Sequence, residues 1–349
     1  MSNKNLLSGR DKELQELAEQ YEAAMAGNKP FYQDADELAD LADWYGTKKR
    51  YDKAFEIAEY GLKLHPDSTE LMIEYAYLHL DNGKKAKARE IIENLPDTYS
   101  PEAKVVRAHL LLSEGKLDDA EQLLDTIEDK DDLANVVDVS YMYLDMGYPD
   151  KALAWLDPVK EEYSNEEAYI AVVADCLYGK GMTEEAIPLY NRLIDMNPYS
   201  APYWFGLARC HFEEMNFNQA IDACDYALVS DDEFADAYVM KGHCFYQLGN
   251  EDAALEYYQK AEELHGLAPE FIYTYIGLCK VSKGEWKEGY ENLEKAILEN
   301  ETDEVASPIL PSLYANAGLC LSKMGKKRKA HQYCKKAHKL SPEDPESLL

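Results

Sequence analysis

Seven cysteines and eight histidines are the side chains of this 349-residue chain best suited to hold a metal or act as nucleophiles. Their spacing argues against both. Cys176, Cys210, Cys244, Cys279 and Cys320 recur two residues after one repeating small residue, and Cys224 and Cys334 recur four residues after another. No Cys-x2-Cys pair occurs, so the spacing of a zinc site or a redox dithiol is missing. Cysteine at such positions reads as a small hydrophobe on a packing surface. Two looser groupings remain: Cys210-His211 with His243-Cys244, and His331 with Cys334 and His338. In the first, helical spacing turns His211 and His243 to different faces, so the four groups do not converge. The second lacks a fourth ligand. No glycine-rich phosphate loop, Gly-x-Ser-x-Gly elbow or His-Glu-x2-His pair appears, and no acidic pair is marked as a poised acid and base. Neither an enzyme nor a cofactor is expected.

Charge narrows the partners. The formal net charge is −31, yet residues 323–349 hold eight Lys and Arg against three Asp and Glu. The acidic body repels phosphate backbones, which argues against nucleic acid as principal ligand and steers cationic partners toward the chain. The basic run Lys326-Lys327-Arg328-Lys329, with Lys335, Lys336 and Lys339, suits the outer face of a last helix and complements its dipole. It also admits head-to-tail contact with the acidic body of a second copy. No segment reaches membrane-spanning length, and Met1-Ser2-Asn3-Lys4-Asn5-Leu6-Leu7 lacks the apolar core of a signal peptide, so a cytoplasmic location is expected.

The elements that carry these residues repeat. Small residues stand at Ala54, Ala88, Ala120, Ala152, Ala186, Ala220, Ala254, Gly289 and Ala330, about every 34 positions. Twelve residues before each stands another: Ala42, Ala76, Ala108, Ser140, Ala174, Ala208, Gly242, Gly277 and Gly318. One unit shows the design. Pro202 opens a helix with Trp204, Leu207, Ala208 and His211 on one face; a turn follows around Met215-Asn216; a second helix buries Ala220, Ile221, Cys224, Ala227 and Leu228. Gly249 and its equivalents Gly83, Gly115, Gly147, Gly181, Gly284 and Gly325 end the first helices.

Trp204-Leu207-Ala208, Gly181-Ala186-Tyr190-Pro198, Ala254-Tyr258-Ala261 and Gly325-Ala330-Ala337-Pro342 resemble the tetratricopeptide repeat. Nine units cover about residues 35 to 345. The resemblance implies an all-α, right-handed superhelical solenoid. The expected organisation is an N-terminal capping helix and linker over 1–33 and the array over 34–349, with an insertion near 300–311 marked by Ser307-Pro308 and Leu310-Pro311. The cap is read from the stripe Leu14, Leu17, Ala18, Tyr21 and Met25, closed by Gly27-Asn28. Leu95, Ile127, Val159 and Leu193 replace a normally small site, and Pro96 and Pro158 should end or kink their second helices. Units two to four are therefore expected to curve differently from units five to nine.

The same resemblance implies that first helices line a concave groove that takes peptides or proteins. Its positions in this sequence are Tyr77, Leu80, His109, Leu112, Tyr141, Leu144, Asp175, Tyr178, Phe205, Arg209, Phe212, Val239, His243 and Tyr246. Aromatic side chains and arginine are what binding surfaces concentrate. Arg209, between Phe205 and Phe212, is expected to pair an acidic group on a ligand. The position after the small site carries no asparagine in any unit, so a carboxylate clamp of the kind that grips chaperone C-termini is not supported. The function expected is a non-enzymatic scaffold or adaptor for a protein or peptide, cationic by charge complementarity. A self-assembling structural protein joined through its charged ends is the alternative, and a metal- or nucleotide-dependent enzyme the third.

Overall fold

The computed structural model describes residues 9–27, 29–264, 266–300 and 308–341. The chain divides into two compact units, Met1–Glu214 and Met215–Leu349. All helices and no strands are seen among the described residues.

The first unit holds α1 (Gly9–Ala26), α2 (Ala35–Thr47), α3 (Tyr51–Leu64), α4 (Thr69–Asp81), α5 (Lys85–Glu93), α6 (Pro101–Ser113) and α7 (Leu117–Leu124). It continues with α8 (Leu133–Asp145), α9 (Pro149–Leu156), α10 (Lys160–Tyr163), α11 (Glu167–Gly179), α12 (Thr183–Met196) and α13 (Ala201–Glu213). The second unit holds α14 (Phe217–Ser230), α15 (Ala235–Gln247), α16 (Glu251–Glu263), α17 (Pro269–Ser282), α18 (Trp286–Asn300), α19 (Leu310–Lys323) and α20 (Lys327–Leu340). From α2 onward the helices follow the register that the period predicts, pairing as α2–α3, α4–α5, α6–α7, α8–α9 and α11–α12 in the first unit and α15–α16, α17–α18 and α19–α20 in the second.

Local chemistry starts the first helices. Ser68 Oγ accepts from the Leu71 amide at 3.1 Å and Ser100 Oγ from the Ala103 amide at 3.2 Å, each satisfying an orphan donor. Pro101, Pro202, Pro269 and Pro311 stand in the first turns of α6, α13, α17 and α19, where no backbone donor is lost. Pro311 therefore opens α19 instead of acting as the breaker expected of it. Residues 301–307, the rest of the expected insertion, lie outside the described residues, as do Asn28 and Pro342.

The small sites are where the two helices of a pair meet. Ala54, Ala88, Ala120, Ala152, Ala186, Ala220 and Ala254 have no solvent exposure, and neither do Ala42, Ala76, Ala108, Ala174 and Ala208. A methyl added at Gly242 would overlap the Tyr258 ring, and one at Gly318 would overlap Cys334 Sγ. Ser140, the polar member of the set, donates to the Ala152 carbonyl at 3.2 Å across its pair, so its burial leaves no unmet donor.

Second helices are short where the period contracts. α5 has 9 residues and α7 and α9 have 8 each, against 14 for α3 and α12. Leu95, Ile127 and Val159 lie beyond the ends of α5, α7 and α9 and are buried, plugging the space that a further helical turn would fill. Pro158 sits in a 3-10 turn, Asp157–Val159, that separates α9 from α10. Leu193, equally large, stays inside a full-length α12, so side-chain size alone does not shorten a helix. At the other end of the unit, Leu14, Ala18 and Tyr21 of α1 share a core with Leu38, Trp44 and Tyr45 of α2.

Five residues before each second-helix small site the backbone is left-handed. Seven units use glycine there, Gly249 among them at φ +72°, but Lys49 and Met215 adopt φ 59° and 58°. A Cβ costs about 1 kcal/mol in this region. Gly249→Ala should therefore lower unfolding free energy by about 1 kcal/mol, whereas Met215→Gly should raise it by a few tenths to about 1 kcal/mol. Urea melts of the two variants check both signs.

Candidate binding groove

One residue after each first-helix small site, side chains reach the neighbouring first helix. In the first unit Tyr77 (α4) meets His109 (α6) edge to face, with ring centres 5.7 Å apart. Tyr141 (α8) donates to Asp175 Oδ2 (α11) at 3.3 Å, and Arg209 Nη2 (α13) donates to Asp175 Oδ1 at 2.6 Å. These positions form the ladder that the repeat register predicts, but most of their surface is spent on each other. Tyr77, His109, Leu112 and Tyr141 are buried, as is Val239 in the second unit. Leu80, Leu144, Tyr178, Phe205 and Phe212 stay half-exposed in the first unit, and His243 and Tyr246 in the second.

The Asp175–Arg209 pair corrects one expectation. Arg209 does not stand ready for a ligand's acidic group, because Asp175 already binds it. Its guanidinium also lies 4.4 Å from the Tyr178 ring centre and 5.5 Å from that of Phe205. Tyr190 of α12 completes the cluster: its hydroxyl donates to Asp175 Oδ1 at 2.7 Å and accepts from Arg209 Nη2 at 3.2 Å. Burial first, then the Asp175 charge, raises the Tyr190 phenol well above its ordinary range, so it remains a donor. Gly206 makes this possible, since a methyl there would overlap the Tyr190 ring. Chain proximity hides the pair, because Asp175 and Arg209 are 34 residues apart. One repeat period separates them, and that register is the signal that identifies it.

In the second unit His243 accepts or donates at Nδ1 to the Tyr258 hydroxyl at 2.8 Å and lies edge-on to Tyr275. Burial pushes its pKa down to about 4, so it is a neutral side chain at pH 7. His109 is also pushed down to about 4 by burial. Six of the seven cysteines are buried, and burial raises the thiols of Cys244 and Cys279 to about 12, leaving little thiolate. Among the described residues no group of three or more His, Cys, Asp or Glu is arranged to hold a metal ion.

The first unit also contains a cleft of about 180 Å³ bounded by α2, α4, α6 and α8. Tyr77, His109 and Tyr141 line it, together with eight carboxylates and no lysine or arginine. Seven of these carboxylates project from the first helices, including Asp36 and Asp40 of α2, Glu70 and Glu74 of α4, and Asp138 and Asp145 of α8. They occupy the turns above and below the ladder position, a stripe at i, i+4, i+7 and i+11 that a reading confined to the aromatic positions passes over. The low-dielectric walls, and then the Asp81 and Asp175 carboxylates, raise Asp145 to about 6.

Stacked helix pairs that meet at small residues define a helical repeat protein. Models of the tetratricopeptide repeat match residues 47–100 and 311–344, and a model of anaphase-promoting complex, cyclosome, subunit 3 matches residues 179–261. The chain is 28% identical over 142 residues to the TPR repeat-containing protein YpiA of Bacillus subtilis (strain 168). That match covers 39% of this chain and spans 33% of the relative's length. Among solved structures, the APC/C hetero-tetramer Cut9-Hcn1 is similar at 19% identity and TM-score 0.51, covering 97% of this chain and 75% of that one. Pseudomonas aeruginosa pilF is similar at 13% identity and TM-score 0.53, covering 62% of this chain and 95% of that one. These likenesses concern the fold. The chain carries tetratricopeptide repeats, which the family's models match over residues 47–100 and 311–344.

Two measurements test the geometry. Arg209→Ala and Asp175→Ala should each cost about 1–3 kcal/mol of stability, with a coupling of about 1–2 kcal/mol in the double-mutant cycle. Additive losses would show that the pair does not act as a unit. For His243, the folded pKa lies below the unfolded value near 6.5, so the unfolded chain takes up a proton first as pH falls. Its contribution is complete above pH 6.5 and is lost on descent toward pH 4. The stability gap between wild type and His243→Gln, measured by urea melts, should therefore narrow between about pH 7 and pH 4.5.

Proposed function

We propose that this chain is a non-enzymatic scaffold or adaptor that holds a protein or peptide partner along its first helices. The observation that carries this reading is the row of half-exposed Leu80, Leu144, Tyr178 and Phe212 on α4, α8, α11 and α13. Apolar and aromatic side chains on a prepacked surface bind at low entropic cost, because Tyr190, Asp175 and Arg209 already fix the neighbouring rotamers. Tetratricopeptide repeats as a class are binding scaffolds, and burial moves His109 and His243 down to about 4 and the Cys244 and Cys279 thiols up to about 12, away from the range of a base or nucleophile at neutral pH. In this reading α1 caps the array, with its Tyr21 sealed against α2 and α3. Seven unpaired thiols accord with a reducing, cytoplasmic setting. No helix among the described residues is long and apolar enough to cross a membrane.

Affinity purification with mass spectrometry tests the assignment. The triple variant Leu80→Ala, Leu144→Ala and Phe212→Ala should retain its helicity and lose its partners by at least about tenfold, since hot-spot truncations cost more than about 1 kcal/mol each. The control Tyr226→Ala with Val229→Ala, on the exposed face of α14, should keep them. Identical partner lists for the triple variant and the wild type would refute the groove.

A further inference from the structure

Helix α20 breaks a local electrostatic rule. It carries six lysines and arginines and no acidic residue. Lys327, Arg328 and Lys329 stand in its first turn, at the positive end of the helix dipole, where cations oppose it. The complement to the dipole that the sequence suggested is supplied only by His338 and Lys339 in the last turn. Two of the six cations are used inside the fold. Lys329 pairs with Glu294 at 3.2 Å and lies over the Tyr290 ring, and Lys336 donates to the Tyr314 hydroxyl at 3.0 Å. The other four, Lys327, Arg328, Lys335 and Lys339, are exposed and make no ion pair among the described residues. Arg328, Lys335 and Lys339 recur at i, i+7 and i+11, one line opposite the buried Ala330 and Ala337.

This unpaired line is at odds with its surroundings. Outside residues 323–349 the chain holds 28 Lys and Arg against 64 Asp and Glu. Other lysines of the second unit find carboxylates: Lys241 meets Asp225, Lys280 meets Glu285 and Lys283 meets Asp252, each at 2.5 Å. Cations that oppose their own helix dipole, and stay unpaired in an acid-rich chain, point to a carboxylate surface supplied from outside.

We infer that the exposed cationic line of α20 docks on α1 of a second copy of this chain. On α1, Glu13, Glu16 and Glu19 are exposed, off the stripe of Leu14, Ala18 and Tyr21 by which it shares a core with α2. Lys12 is the one cation exposed beside them among the described side chains. The two helices are 14 and 18 residues long, about 21 and 27 Å, so the charged lines can lie across each other. The contact joins unlike faces, and each copy keeps one of each face for the next. Two crossed surface helices bury less than about 1,200 Å², the size of weak and transient contacts, and salt screens their charges. A phosphate polymer at α20 is disfavoured because the acidic body repels it. Neither α1 nor α20 is a first helix of a pair, so the inference stands apart from the scaffold reading.

Sedimentation velocity of the full chain tests it. Between about 5 and 200 µM protein, the weight-average mass should rise at least about 1.5-fold in roughly 20 mM salt and stay monomeric near 300 mM. The variants Arg328→Glu, Lys335→Glu, Lys339→Glu on α20 and Glu13→Lys, Glu16→Lys, Glu19→Lys on α1 should each be monomeric at low salt, with unchanged helicity. An equimolar mixture of the two should form a dimer that grows no further, since the reversed faces repair each other and the wild-type faces do the same only once per pair of copies, or a longer row through both repaired contacts. The control Asp222→Lys, Glu256→Lys, Glu262→Lys, on exposed positions of α14 and α16, changes net charge as much as the α1 variant and should self-associate within about twofold of wild type. A wild type that stays monomeric at low salt overturns the inference. So does loss of association in the α20 variant but not the α1 variant, which places the occupied face elsewhere, and so does equal loss in the control. If the wild type stays monomeric and binds a fluorescein-labelled oligonucleotide that the α20 variant does not, nucleic acid is the occupant and the second copy is not.

Discussion

The helix pairs depend on two backbones approaching too closely for any large side chain between them. Ala, Ser and Gly at the paired small sites permit that approach, and a left-handed residue at a fixed distance turns the chain back so that it occurs. Both conditions are short-range and recur in every unit. The array needs no distant contact to set its register, because each pair is specified within its own 30 or so residues. Where the second condition is met without glycine, at Lys49 and Met215, packing of the pair holds the backbone in a region that the side chain disfavours.

That constraint decides which side chains remain for binding. Close pairing brings neighbouring first helices of the first unit within reach of one another, so residues that follow a small site touch across one repeat. Tyr77 meets His109, Tyr141 meets Asp175, and Asp175 meets Arg209. A binding surface and a stacking surface thus compete for one stripe, and stacking takes its centre. The residues three positions further on retain more accessible surface, as do the carboxylates in the flanking turns. A partner would find aromatic edges and charges around a floor already closed.

The architecture was legible because repetition averages over weak local signals. One Ala-x3-Tyr-x2-Ala string, complete only at Ala254-Tyr258-Ala261, says little, but nine pairs of small residues twelve apart locate the helices of the array. The role of Pro158 followed from its ring, and that of Ser140 from its size; that Ser140 would find the Ala152 carbonyl did not. The Arg209 partner was hidden for a different reason. Helical spacing places side chains on a face but does not say whether the facing group on the next helix carries the opposite charge. Comparing positions one period apart, Asp175 with Arg209, gives that answer. The acidic cleft was missed because its carboxylates lie at several repeat positions and look, one at a time, like a solvated exterior.

Electrostatics then distinguish stretches of the first-helix face within the first unit. From α2 to α8 the cleft presents carboxylates without a cation among its lining residues. At α11 the pattern changes: Asp175 is a carboxylate at the same repeat position, but Arg209 on α13 neutralises it at 2.6 Å, with two rings stacked on the guanidinium. The Asp175 charge is therefore used internally to fix rotamers. A charge paired inside the fold adds order but little long-range attraction. The face therefore combines a carboxylate-lined cleft at α2–α8 with a prepacked aromatic region at α11 and α13.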